Sequence, residues 1–240
     1  MTPKEGGWKG RFVAMGYAQD ESVHRETNSP TVSNEVVLMV LAIMAAEGRH
    51  ARVLDGVGAY LEAYMDELIY IKLSVAQSRA VLKVKPEWAK YLYDGHLYMK
   101  LLKALYGLKQ SARLWYNLID ETLRSMGFVA NPKDPCQYNK MVIGYQATVA
   151  LHVDDMLVTH DTDKGCAIVQ AMIQKEFPHI RVKKGDSLQY LGMELDRLHD
   201  GSVQLSMKAY TEKIVTEWSD TIGWKASKRA VPPALNTLFE

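Results

Sequence analysis

The chain has 240 residues, of which 48% are hydrophobic and 24% are charged, as in an ordinary globular protein. A chain of this length can bury a sizeable core as one large domain or two modest ones. Its longest apolar run, residues 36–46, is about half as long as the ~20 residues that cross a membrane, and the N-terminus lacks the apolar region of a signal peptide. Cys136 and Cys166 are too few for a disulfide framework, so we expect a reducing, intracellular compartment and no membrane association. The net charge of +1 does not decide nucleic-acid binding, which depends on local clusters of Lys and Arg.

The predicted elements alternate between strands and helices along the chain. A strand-like segment over residues 8–17 is followed by a helix that Ser33 caps and that ends at Gly48. Residues 74–94 are less regular, contain Pro86, and are predicted to form a connection. The other predicted strands cover residues 51–54, 68–71, 97–102, 136–142, 148–153, 156–159, 188–195 and 203–206, and the other helices cover residues 109–126, 162–177 and 208–221. This order predicts an α+β domain in which an antiparallel sheet carries helices on one face.

Three aspartates lie at the ends of predicted strands, where a rigid sheet would hold their side chains. Asp154 and Asp155 form an acidic pair between two apolar strand halves, and Asp55 ends the run of residues 51–54. Adjacent carboxylates repel each other, and a divalent cation such as Mg²⁺ would offset both charges, since hard cations prefer oxygen ligands. Two such ions can activate an attacking oxygen and stabilise a leaving one. The competing interpretation is an ordinary hairpin loop, because Asp is a common turn residue.

Six segments resemble, in the right order, the motifs of reverse transcriptases from copia-type retrotransposons. Residues 54–61, LDGVGAYL, resemble the first catalytic motif; residues 103–115, KALYGLKQSARLW, are very similar to the copia-type motif; and residues 152–158, HVDDMLV, resemble the Tyr-Val-Asp-Asp box with His in place of Tyr. The flanking segments that resemble the fingers strand, the stretch after it and the primer-grip hairpin are residues 9–17, 26–32 and 188–195.

The resemblance implies the palm of a right-hand polymerase with part of its fingers. The implied division of the chain is partial fingers over residues 1–50, palm with the first catalytic motif over residues 51–73, a connection between fingers and palm over residues 74–110, palm with the catalytic Asp-Asp hairpin and the primer-grip hairpin over residues 111–206, and the start of the thumb or connection over residues 207–240.

The same resemblance implies an RNA-directed DNA polymerase, in which a primer 3′-hydroxyl attacks the α-phosphorus of a dNTP and releases pyrophosphate. Two Mg²⁺ or Mn²⁺ ions are expected, with Asp55, Asp154 and Asp155 as catalytic and metal-binding carboxylates and the Gly56 carbonyl as a further ligand. The expected partners are an RNA or DNA template with its primer, the dNTP, and the rest of a Pol polyprotein, whose integrase and ribonuclease H would lie outside this chain. The expected location is a cytoplasmic virus-like particle or the nucleus.

Other roles follow from the resemblance position by position, each beside a purely structural alternative. Tyr60 matches the steric gate against a 2′-hydroxyl, or is a core aromatic; Lys9 and Arg11 match the basic fingers positions that hold the triphosphate, or belong to a solvated strand face. Gly107 would allow a close approach to the nucleotide or the template, or marks the entry to a helix. Trp115 is expected in the core. Template and primer contacts are expected at Lys109, Gln110, His152, Leu191 and Gly192.

Two further hypotheses remain open at the level of the sequence. His152 in place of Tyr also fits a catalytically silent, nucleic-acid-binding relic of the same fold. A metal-dependent phosphohydrolase of unrelated fold would use the same carboxylates, but it leaves the string from Tyr106 to Trp115 unexplained.

Overall fold

A six-stranded antiparallel sheet lies at the centre of the computed structural model, which describes residues 2–4, 7–19 and 27–222, and side chains over residues 10–19, 27–219 and 221. The strands of this part of the chain are β1 (Thr2–Lys4), β2 (Gly7–Lys9), β3 (His50–Gly56), β4 (Tyr70–Lys72), β5 (Tyr98–Lys100), β6 (Val129–Asn131), β7 (Asp134–Val142), β8 (Tyr145–His152), β9 (Asp155–His160), β10 (Ile180–Lys184), β11 (Ser187–Tyr190), β12 (Met193–Arg197) and β13 (Val203–Ser206). Its α-helices are α1 (Asn34–Ala46), α2 (Val75–Val84), α3 (Ser111–Ser125), α4 (Asp163–Glu176) and α5 (Lys208–Ile222), and short 3₁₀ helices cover Gly16–Ala18, Ala59–Glu62 and Pro86–Tyr91.

The central sheet runs in the order β10-β3-β9-β8-β7-β6, and every neighbouring pair is antiparallel. β8 and β9 are nearly continuous apolar runs because both faces of these inner strands are covered. Arg52 of β3 donates a hydrogen bond of 2.7 Å to Asp163, so helix α4 covers the face that carries Arg52. Asp55 lies three residues further along the same strand and therefore points to the opposite face.

The face that carries Asp55 is covered in part by a second antiparallel sheet, ordered β11-β12-β13. Its Tyr190 hydroxyl donates a hydrogen bond of 3.1 Å to the carbonyl of Ala150 in β8. Helix α1 lies against β8 and β13. The architecture is thus the predicted α+β arrangement of antiparallel sheets and helices, and one end of β3 and β9 stays open to solvent at the aspartates.

The helices predicted over residues 109–126, 162–177 and 208–221 are confirmed as α3, α4 and α5. The predicted cap of α1 is also confirmed, because the Ser33 hydroxyl accepts a hydrogen bond of 3.3 Å from the Val36 N–H. No helix of the described residues is long and apolar enough to cross a membrane.

Three predictions about local structure were wrong. The strand expected over residues 188–195 is two strands, β11 and β12, which the turn at Leu191 and Gly192 separates. The strand expected over residues 8–17 is limited to β2, and the chain from Gly10 onward is irregular up to the 3₁₀ helix at Gly16–Ala18. The connection expected over residues 74–94 contains helix α2, which begins with a capping box in which Ser74 and Gln77 bond each other's backbone N–H groups. Because α2 buries only Ser78, it carries no apolar stripe that periodicity would have revealed.

The irregular segment after β2 is held against the chain around Gly107. The Ala14 N–H donates a hydrogen bond of 2.7 Å to the Tyr106 carbonyl. A Cβ added to Gly107, whose φ is +90°, would lie 2.1 Å from the Ala14 carbonyl oxygen, and one added to Gly16 would lie 1.9 Å from the Gly107 carbonyl oxygen. Glycine is therefore required at both positions for the two segments to meet, and this contact holds Arg11 beside the open end of the sheet.

Candidate active site

The three predicted aspartates meet at one end of the central sheet. Asp55 of β3 and Asp155 of β9 are direct partners in the antiparallel register, so their side chains lie on the same face. Asp154 occupies the turn before β9, and its carbonyl oxygen accepts a hydrogen bond of 2.8 Å from the Gly56 N–H. Residues separated by about a hundred positions in the sequence are thus joined by the strand pairing itself.

The turn between β8 and β9 has an unusual backbone conformation. Val153 has a φ of +55°, a left-handed conformation that costs a residue other than glycine roughly 1–2 kcal/mol. The indole N–H of Trp115, on helix α3, donates a hydrogen bond of 2.6 Å to the Val153 carbonyl. Trp115 is buried, as predicted, and this bond adds a second role, because it helps to hold the turn that carries Asp154.

The electrostatics of the site favour a bound cation. Burial raises the pKa of Asp154, and the neighbouring charge of Asp55 raises it further. Burial likewise raises the pKa of Asp155, to which Asp154 and Asp55 add their repulsion. Arg11 and His152 act in the opposite direction: both lower the pKa of Asp154, and His152 also lowers the pKa of Asp155. At neutral pH the three carboxylates therefore repel one another in a half-buried place.

Carboxylate oxygens are the ligands that Mg²⁺ and Mn²⁺ prefer, so the donor types of Asp55, Asp154 and Asp155 suit a divalent ion, although the three side chains do not converge on one point. Gly56 adds a backbone carbonyl at the same strand end. Among the described residues, no three Asp, Glu, His or Cys side chains already stand close enough together to hold an ion.

A cleft of about 290 Å³ opens over Asp55 and Asp154. Its walls include Arg11, Asp55, Asp154, Tyr106 and Arg181. The Arg11 guanidinium lies 4.8 Å from the centroid of the Tyr106 ring, a distance typical of cation–π contacts. The segment that Gly107 and Gly16 hold in place thus brings the Arg11 cation into the same cleft as Asp55 and Asp154.

Tyr60 continues this stack of side chains. Its ring centroid lies 4.7 Å from that of Tyr106, with the two planes tilted by 43°. Burial raises the pKa of the Tyr60 hydroxyl, and the charge of Asp154 raises it further, which places the ring within electrostatic reach of the aspartates. Because the 3₁₀ helix Ala59–Glu62 begins three residues after Gly56, the ring is carried on a short, rigid element next to the site.

Two polar residues of the cleft had no specific role predicted from the sequence. Tyr106 lies inside the copia-type motif, and this position in the sequence could have indicated that it lines the cleft. Arg181 is the register partner of Asp55 on β10, and nothing local in the sequence distinguishes it from the neighbouring cations Lys183 and Lys184.

The predicted primer-grip turn lies beside Asp155. Leu191 and Gly192 form the turn between β11 and β12, with φ values of +51° and +78°. They line a second cleft of about 360 Å³ together with Asp155, Lys183 and Tyr210. His152 is the register partner of Asp155 and lies on the same face. The structure therefore brings three of the predicted template–primer residues to the aspartates.

The remaining predicted residues lie elsewhere or outside the described side chains. Gln110 is 1% exposed, and its side-chain oxygen accepts a hydrogen bond from Gln19. The ammonium group of Lys109 donates a hydrogen bond to the Gln19 carbonyl at 3.3 Å. Gly107 does not line the cleft. The segment that approaches Gly107 closely, and for which glycine is required there, is the chain at Ala14. The side chain of Lys9 lies outside the described part of the structure.

Comparison with known proteins identifies the family of the chain. A family model for the reverse transcriptase (RNA-dependent DNA polymerase) matches residues 2–226. The chain is 29% identical over 216 residues to the retrovirus-related Pol polyprotein from transposon TNT 1-94 of Nicotiana tabacum, over 88% of this chain and 15% of the polyprotein. It is 29% identical over 211 residues to the retrovirus-related Pol polyprotein from transposon RE2 of Arabidopsis thaliana, over 85% of this chain and 13% of that polyprotein. The chain therefore spans only a small part of the curated relatives it matches.

Among solved structures, the apo telomerase of Candida tropicalis, truncated from its C-terminal domain, is similar with a TM-score of 0.39 and 9% sequence identity, covering 74% of this chain and 40% of that one. The family model covers nearly the whole chain, and the transposon polyproteins agree with the predicted copia type. The chain belongs to the reverse transcriptase (RNA-dependent DNA polymerase) family.

Proposed function

We propose that this chain is the polymerase domain of a copia-type retrotransposon reverse transcriptase, which adds dNTPs to a primer 3′-hydroxyl by two-metal catalysis. The observation that carries the proposal is the pairing of Asp55 with Asp155, next to Asp154, at a sheet end where Asp55 and Asp154 line one cleft and Asp155 lines a second. Two Mg²⁺ or Mn²⁺ ions bound there would supply activation of the primer hydroxyl and neutralisation of the charge that develops on the phosphates.

The chain's own residues would bind and orient the reactants around these ions. Arg11, exposed on the wall facing the aspartates, would bind the triphosphate through charge-assisted hydrogen bonds. Tyr60, packed on Tyr106, would stand against the sugar and exclude a 2′-hydroxyl. The bond from Trp115 to Val153 would keep the position of Asp154 constant during the reaction.

The second cleft suits the end of the primer. It joins Asp155 to the turn at Leu191 and Gly192, and Lys183 and Lys213 supply positive charge for the phosphate backbone. The proposed partners are therefore an RNA or DNA template with its primer, and dNTP. By analogy with the polyprotein relatives, the protein would work as part of a longer Pol product, in a cytoplasmic particle or in the nucleus.

Primer extension on an RNA template tests the proposal. We expect Mg²⁺-dependent extension by the wild-type chain and a loss of about a thousandfold or more in Asp154→Asn, since the metal site supplies several kcal/mol of stabilisation. Asp161→Asn is the matched control, because it removes the same charge just beyond the other end of β9. Full extension by Asp154→Asn, or equal losses in both variants, would contradict the assignment of the metal ligands.

One observation favours the relic hypothesis as a second candidate. His152, which replaces the family's Tyr, lies on the same face as Asp155 and is its direct register partner. A relic would bind template–primer with an affinity that falls as salt increases, yet would not extend the primer even at high metal concentration. Recovery of extension in His152→Tyr would show that His152 causes the loss of activity. Cleavage of a phosphodiester without incorporation would instead support a hydrolase.

A further inference from the structure

The β4–β5 hairpin presents an ordered set of aromatic and cationic side chains to solvent. In its antiparallel register Tyr70 is directly opposite Lys100, and Lys72 is directly opposite Tyr98. Direct partners and alternate residues of a hairpin share one face, so these four side chains lie together. All four are exposed, whereas Ile71 between them is partly buried.

A fifth residue extends this face. The ring of Tyr93 is 74% exposed and lies 6.4 Å from the Tyr98 ring, nearly edge-on. The Lys72 ammonium lies 5.8 Å from the Tyr98 ring centroid. Within the described part of the chain, neither Lys72 nor Lys100 forms an ion pair. We call Tyr70, Lys72, Tyr93, Tyr98 and Lys100 the tyrosine–lysine face.

The charge of the surrounding segment distinguishes it from the rest of the molecule. Residues 70–103 contain seven Lys and Arg against two Asp and Glu, a net charge of +5 in a chain whose net charge is +1. Single exposed aromatics are ordinary, but several clustered beside unpaired lysines on a strongly basic segment indicate a binding surface. Such a surface is complementary to a polyanion that also carries flat apolar groups.

We propose that the tyrosine–lysine face binds single-stranded nucleic acid. Bases that are not paired stack on exposed aromatic rings, and the phosphates between them meet the ammonium groups. A duplex fits the face less well, because its bases are already stacked on one another. Nothing in the proposed polymerase chemistry uses these residues, so the proposal goes beyond it.

The hairpin packs on the cleft wall through the side opposite the tyrosine–lysine face. Ile71, on this inner side, packs against the small cluster of Ala14, Leu105 and Leu108. Leu105 itself lines the cleft at Asp55 and Asp154. The tyrosine–lysine face is therefore the outer, solvent-exposed side of a hairpin that is fixed to the cleft wall.

The test is fluorescence anisotropy with a labelled single-stranded RNA of about 12 nucleotides, a length suited to several stacked bases. Measurements in EDTA without dNTP keep binding separate from polymerisation. We expect Tyr98→Leu to weaken binding about tenfold, since Leu keeps the apolar bulk but offers no ring, and Tyr98→Phe to bind like the wild type. A blunt duplex of the same sequence should bind both variants equally.

A charge variant gives an independent readout. Lys72→Gln/Lys100→Gln should reduce the slope of log K against log salt by about 1.4 units, because each single-strand phosphate contact contributes about 0.7. Lys164→Gln/Lys175→Gln is the matched control, with the same charge change at two exposed positions of α4. Equal affinities in wild type and Tyr98→Leu, or equal slopes in the two lysine variants, would overturn the proposal and leave the polymerase assignment untouched.

Discussion

The indole Nε1–H of Trp115 donates a 2.6 Å hydrogen bond to the carbonyl oxygen of Val153, the residue directly before Asp154. Trp115 ends the most specific string of the sequence, yet its side chain is 1% exposed and cannot meet a substrate. Its indole instead connects helix α3 to a turn held in a left-handed conformation. Four predictions concern this turn, the aspartates and the aromatic residue beside them.

Trp115→Phe should separate stability from catalysis. The change removes the N–H but keeps an aromatic ring, and it leaves the partly buried Val153 carbonyl without this partner, which costs about 0.5–1.5 kcal/mol of unfolding free energy. The extension rate should fall about tenfold to a hundredfold, because Asp154 then varies in position. Denaturant unfolding and single-turnover extension measure the two effects.

Tyr138→Phe is the control for this prediction. It removes a partly buried hydrogen bond of 2.8 Å that the Tyr138 hydroxyl donates to Asp120. Asp120 is on the same helix as Trp115 but away from the turn. We expect a comparable loss of stability with an unchanged rate. Equal rates in Trp115→Phe and the wild type would show that the indole bond does not position Asp154.

Val153→Gly should make the protein more stable and less active. Glycine removes a left-handed strain of roughly 1–2 kcal/mol, and its extra freedom in the unfolded chain returns about 0.4–1 kcal/mol, so a net gain of up to about 1 kcal/mol is expected. The same freedom should lower the extension rate. Ile143→Gly is a matched control, since Ile143 has a φ of +41° in the turn at the other end of β8. A Tm that falls only in Val153→Gly would contradict the strain assignment.

The aspartates should make stability depend on pH and on metal. Burial and mutual repulsion raise the pKa of Asp154 and of Asp155 above 3.8, so the folded state binds protons that the unfolded state releases. Stability therefore falls as the pH rises from the unfolded value through the raised folded value. Asp155→Asn should raise the metal-free Tm at neutral pH, and Mn²⁺ should raise the Tm of the wild type more at neutral than at acidic pH.

Asp200→Asn tests the sign of this effect. Hydrogen bonds from Ser202 lower the pKa of Asp200, so its charged form contributes stability above its unfolded pKa that is lost as the pH falls through the folded value. The substitution should leave the response to Mn²⁺ unchanged. A Tm of Asp155→Asn below the wild type at neutral pH, without metal, would show that repulsion is not the dominant interaction at the site.

Tyr60→Ala should weaken discrimination between dNTP and rNTP. Without the ring beside Tyr106, a 2′-hydroxyl meets less steric resistance, and we expect the efficiency of rNTP incorporation relative to dNTP to rise about tenfold to a hundredfold. Tyr60→Phe keeps the ring and should discriminate like the wild type. Unchanged discrimination in Tyr60→Ala would favour a purely structural role in the core.

Local signals in the sequence were sufficient to locate the elements that they define. Alternating and helical periodicity located the inner strands and helices α3, α4 and α5, and the Ser33 cap located the start of α1, because each of these signals lies within a few residues of the element it defines. The motif order also placed Asp55, Asp154 and Asp155 at strand ends. Helix α2 was missed, since its capping box stands beside a helix with almost no buried face.

Which residues come together depends on the packing of the fold. The register of β3 with β9 joins Asp55 to Asp155, the interlocked Gly16 and Gly107 bring Arg11 to the ring of Tyr106, and no short-range pattern encodes either contact. The same holds for the indole bond to Val153, which crosses from a helix to a turn. Such contacts depend on how sheets and loops pack in three dimensions. A sequence pattern indicates only the burial and the backbone conformation of residues that are close together in the chain.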